Sequence, residues 1–228
     1  MSILTEETSA KRPRPRIESL SDLIFGLALS VGAITLVSEP PTSAEGIYSD
    51  LATFGFSFLI LISIWLRYTR IMSVLPVETG RATRLNIALL FCVSVEPFLF
   101  GLLTRPPAIS PALLSSFEGA ASAVYGVDLG IMMAILGLFS LTLASEERAL
   151  VSSEYSKRFR REANGWFISS SAFFISALPI FYTTDLGSLG PIRYYIWLIP
   201  LFTTWFRRAS RRRKDAESQP QSAARGPK

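Results

Sequence analysis

The chain has 228 residues, 49% of them hydrophobic and 18% charged, with a mean hydropathy of +0.35; this balance belongs to an integral membrane protein rather than to one or two soluble domains. A single cysteine, Cys92, excludes a disulfide framework, and the lack of histidine excludes His-based metal sites, His general bases and Ser-His-Asp triads. The formal charge of +5 would suit nucleic acid by its sum alone, but the basic residues follow membrane topology, and no nucleic-acid partner is expected.

A bilayer core about 30 Å thick needs roughly 20 helical residues to cross it. Six segments qualify in chain order: Ser19–Ser38, Tyr48–Leu66, Leu85–Leu103, Ala120–Leu143, Trp166–Tyr182 and Pro191–Phe206. The first has too long an apolar stretch for a cleavable signal peptide, lacks an Ala-x-Ala-like exit and ends in Glu39-Pro40-Pro41, so it is expected to remain as a helix. All but Arg105 and Arg193 of the 23 Lys and Arg residues fall in the N-terminus, the second and fourth connections and the tail. Cytoplasmic segments hold such an excess, which puts both termini in the cytoplasm of a multi-pass protein of the cell (inner) membrane.

The expected organisation is a basic cytoplasmic N-terminus over residues 1–18, an all-α six-helix transmembrane domain over 19–207 and a disordered basic tail over 208–228. The tail carries Arg211-Arg212-Arg213-Lys214 near anionic lipid and lacks the apolar content to fold alone. The outer connections, such as Glu39-Pro40-Pro41-Thr42-Ser43 and Arg105-Pro106-Pro107, are short turn formers with no room for an ectodomain.

Ionisable groups at membrane depth are costly and mark functional candidates. Asp22 opens the first span, where the helix dipole and a nearby arginine such as Arg16 favour a carboxylate. Glu96 lies mid-span in Val93-Ser94-Val95-Glu96-Pro97, and Asp128 lies in Tyr125-Gly126-Val127-Asp128; structural hydrogen bonding and an intramembrane ion or proton site are both open readings for this pair. Pro97 frees a backbone carbonyl within the third span and is expected to kink it.

At about 100° per residue, Leu20, Leu27, Val31 and Ile34 form one narrow stripe on the first span. Gly26, Ser30 and Ala33 lie beside it, and Ala28 with Gly32 form a second small-residue pair on the other flank. Small residues at such spacing let membrane helices approach closely. A helix crowded near a symmetry axis, with the aliphatic stripe turned toward that axis, would need this pattern; burial inside a monomeric bundle also satisfies it.

Arg16-Ile17-Glu18-Ser19-Leu20-Ser21-Asp22, followed by Leu23-Ile24-Phe25-Gly26-Leu27-Ala28-Leu29-Ser30, resembles the first-helix signature of the transmembrane protein 175 potassium channels, R-x-x-x-F-S-D followed by x-x-F-A-I-x-x-T-L-L. Ser57-Phe58 and Trp65, Leu85-Asn86, Val93-Ser94-Val95-Glu96-Pro97-Phe98 and Ala123-Val124-Tyr125-Gly126 resemble further motifs of that family in the correct order on the correct spans. The resemblance implies a homotetramer of single six-helix repeats in prokaryotes, with the first helix lining a central pore and no T-V-G-Y-G filter. It implies a pore constriction or gate at Leu27, Val31 and Ile34, a selectivity-associated hydroxyl cluster of Ser30, Trp65 and Ser94, and a structural signature motif in Arg16, Ser21 and Asp22. Leu20, Gly26, Leu27 and Ser30 replace the family's phenylalanine, alanine, isoleucine and threonine, Tyr68 stands about where a histidine is common, and Glu96 stands where relatives usually have an apolar residue.

The expected function is passive, potassium-preferring cation conduction. No cofactor is implied; potassium ions and other monovalent cations are the permeant species, and the partners are the lipid bilayer and further copies of the chain. No nucleophile and base pair suggests an enzyme. The competing reading is a proton-coupled transporter using Glu96 and Asp128 as a carboxylate relay.

Overall fold

The computed structural model describes residues 16–38, 43–73, 80–104, 110–145, 153–184 and 191–198. Six helices run through them: α1 (Arg16–Ser38), α2 (Ala44–Met72), α3 (Gly80–Thr104), α4 (Pro111–Ala144), α5 (Ser153–Ser176) and α6 (Ile180–Thr183). A further helical run covers 192–198. The basic N-terminus as far as residue 15, the outer connections at 39–42 and 105–109, and the tail fall outside the described residues.

Local chemistry explains where several helices start. Ser43, extended at φ −137° and ψ 157°, accepts a hydrogen bond from the Gly46 amide and caps α2, with Glu45 in the first turn and Arg70 in the last. Pro111 opens α4, where its missing N–H costs nothing, and the Ser110 carbonyl accepts from the amides of Leu113 and Leu114. α3 continues through Pro97 without ending.

α2, α3 and the Ser116–Ala144 part of α4 are long and apolar enough to cross a bilayer, whereas α1 carries a shorter apolar segment, Ser19–Ile34. The expected six spans are therefore not all present as membrane-length apolar helices among the described residues. The first four expected spans coincide with α1 to α4, which extend by up to nine residues beyond the expected bounds.

The fifth span requires correction. α5 starts at Ser153, so Lys157, Arg158, Arg160 and Arg161 lie on a helix rather than in a connection, and it ends at Ser176 instead of running to Tyr182. Its charged first half is held by Phe159 and Ala163, both buried, and by the ion pair of Arg67 with Glu162. Its end is set by Pro179, which has no N–H to donate, and by Arg193, whose guanidinium occupies the carbonyls of Ser176, Ala177 and Leu178.

α4 is the central helix, packing most extensively on α5 and also on α3 and α2, while α1 lies against α3 and α2. Aromatic rings join these layers: Phe25 of α1 meets Tyr68 of α2 at 5.7 Å, and Tyr68 meets Phe139 of α4 edge-on at 6.4 Å. Glycine brings α4 close to its neighbours, since a Cβ on Gly137 would stand 3.0 Å from the Phe167 ring and one on Gly130 3.1 Å from Phe174.

Candidate functional site

α1 divides into two faces. Ser21, Phe25 and Ala28 are buried against α2 and α3, whereas Leu20, Leu23, Leu27, Val31 and Ile34 are exposed, Leu27 at 62% and Ile34 at 64%. The aliphatic stripe is thus left uncovered by the other described residues. An open groove of about 420 Å³ runs along it, lined by Leu27 and Val31 of α1 and by Ser94, Pro97 and Phe98 of α3.

The buried face is anchored at one end. Ser21 accepts from the Tyr68 hydroxyl at 2.7 Å and from the Asn86 amide at 3.4 Å, and Asp22 accepts from the Trp65 indole at 3.0 Å. These bonds join α1 to α2 and α3. Tyr68, standing where a histidine would be common in the resembling family, supplies one of the anchors. The Arg16 side chain is outside the described residues.

Among the described residues no hydrogen bond joins Ser30, Trp65 and Ser94 to one another. The single indole donor of Trp65 goes to Asp22, while Ser30 donates to the Gly26 carbonyl at 2.8 Å and Ser94 to the Leu90 carbonyl at 2.7 Å. The reason is axial: Ser30 is eight residues, about 12 Å, along α1 from the Asp22 level that Trp65 reaches.

A second polar centre lies between α2, α3 and α4. Glu96 Oε1 accepts from Ser57 at 2.8 Å and from the Tyr125 hydroxyl at 3.2 Å. Asp128 stands one turn from Tyr125 on α4 and faces the buried Cys92 of α3. Glu96 is fully buried and Asp128 is 7% exposed.

Sequence reasoning treated Arg67 and Arg193 as loop charges, and both are buried in helical segments. Arg67 pairs with Glu162 of α5 and lies 5.8 Å from the Trp166 ring centre. Arg193, 1% exposed, donates to five acceptors on three segments, including the Gly119 carbonyl and Ser122 hydroxyl of α4. Its place in an apolar run beside Pro191 was the only available signal, since its acceptors lie far away in sequence.

The family model described as "Endosomal/lysosomal potassium channel TMEM175" matches residues 16–97, a stretch that begins at the first residue of α1 and ends at Pro97 of α3. No curated protein and no solved structure matches the chain. The matched stretch contains the anchors Ser21, Asp22, Trp65, Tyr68 and Asn86 and the uncovered stripe of α1. Over residues 16–97 the chain is similar to the TMEM175 family of potassium channels.

Proposed function

We propose that the protein is a passive, potassium-preferring cation channel of the cell membrane, a homotetramer of six-span protomers with both termini cytoplasmic and α1 lining a central pore. The observation that carries this reading is the uncovered aliphatic face of α1, in a segment matched by a potassium channel family. Four such faces meeting around an axis would cover surface that one chain leaves open. Leu27, Val31 and Ile34 then form the constriction: a narrow apolar ring makes a hydrated ion shed water without replacement ligands, so opening requires the ring to widen or rotate. Ser30 supplies hydroxyl oxygens beside that stripe, and Ser94 lines the groove next to it. With neutral hydroxyls as the nearest ligands, selectivity is modest.

Native mass measurement and potassium flux into liposomes test the assignment together. Four-fold assembly and flux that persists without a proton gradient support it. Ile34→Asn places an amide in the ring and raises flux by roughly tenfold or more, each 1.36 kcal/mol removed from a barrier being a factor of ten in rate. The buried Glu96 and Asp128 favour the alternative of a proton-coupled transporter. Flux strictly dependent on a proton gradient, and abolished by Glu96→Gln, would replace the channel reading with that one.

A further inference from the structure

Cys92 and Glu96 are one turn apart on α3, and Tyr125 and Asp128 are one turn apart on α4. The Tyr125 hydroxyl reaches Glu96 and the Cys92 thiol reaches Asp128, so the two pairs face each other across the α3–α4 contact, with Ser57 of α2 closing a third side. Both carboxyl groups are more than nine-tenths buried, and Glu96 Oε2 and Asp128 Oδ2 receive no hydrogen bond. Neither carboxyl group pairs with a Lys or Arg among the described residues. Two buried carboxylates without a counter-charge are untenable at membrane depth, so a positive charge completes the cluster.

The ligand set points to the smallest such charge. Oε1 of Glu96 is already occupied by two hydroxyl donors, and Cys92, Glu96 and Asp128 do not converge as a metal-binding group. A potassium or sodium ion needs a fuller shell of oxygens to replace its water. We propose that Glu96 and Asp128 form a proton-binding site inside each protomer, one proton being held by the two carboxyl groups between α3 and α4. Uptake moves one proton from water to a carboxylate oxygen and removes one negative charge from the interior. Among the described residues, the titratable groups facing the pair are Tyr125 on α4 and Cys92 on α3; α2 presents the Ser57 hydroxyl, and Asp22 of α1 is engaged by Trp65.

This site needs one protomer only and stands whether or not the protein conducts. Infrared difference spectra of the full chain in liposomes, taken between acidic and alkaline buffer, read it without any flux measurement. The carbonyl stretch of a protonated carboxyl group should appear on acidification, disappear in Glu96→Gln or Asp128→Asn, and shift in Glu96→Asp, which keeps the acid one methylene shorter. Glu96→Asp also stands in if either amide variant fails to fold. Exchanging potassium for sodium or a bulky organic cation at fixed pH should leave the band unchanged. A band absent from the wild type, or identical in wild type and every variant, overturns the proposal; a band displaced by potassium or sodium assigns the site to a metal cation instead and overturns it equally.

Discussion

Arg193 uses all five of its N–H donors, on the carbonyls of Ser176, Ala177, Leu178 and Gly119 and on the Ser122 hydroxyl. One side chain thereby closes the end of α5, which a soluble helix would leave to water, and ties it to α4. Arg193→Met keeps the length and apolar stem but leaves these acceptors without a donor, and should cost about 3 kcal/mol, seen as a lowered thermal midpoint in detergent. Arg193→Lys recovers only part, because an ammonium offers three donors and no fork. The Arg67–Glu162 pair is a second buried charge contact, in the first half of α5. Glu162→Gln removes the charge paired with a guanidinium that is 8% exposed and should lower the thermal midpoint, whereas Arg158→Gln, altering an exposed partner 3.6 Å from the same carboxylate, should change the midpoint little.

At the scale of elements, α4 depends on side chains it lacks. Gly137→Leu drives a side chain into the Phe167 ring and should cost 1–3 kcal/mol, roughly the penalty of overpacking, in the same thermal assay. Gly126→Ala should cost less, because its Cβ would meet neighbours at 3.6 Å, ordinary van der Waals contact. The existence of α1 to α4 was legible from runs of apolar residues, but the start of α4 was not, since it lies at Pro111, nine residues before the expected Ala120. The end of α5 was not, because the apolar run continues from Ala177 to Tyr182 and hydropathy cannot register a break held by an arginine 17 positions after Ser176. Likewise the face of α1 was readable from its period, while the partner of Trp65 was not: spacing along one helix does not say which level of the next helix an indole reaches.

For the whole molecule, the proposed arrangement of protomers rests on the direction in which the α1 stripe points. If four copies of α1 surround an axis, Ile34→Cys should give disulfide-linked protomers on mild oxidation, with the buried Cys92 of the wild type serving as a silent control. Monomers alone on a denaturing gel would mean that the stripe faces lipid.

Membrane residence, the order of the first four helices and the aliphatic stripe of α1 were determined by sequence alone, because hydropathy and helical period are properties of contiguous residues. The partners of Arg67, Glu96 and Arg193 were decided only by tertiary structure. Each depends on which helices pack and at what height, as with Arg193 and Ser122, 71 positions apart, and no local pattern records that distance.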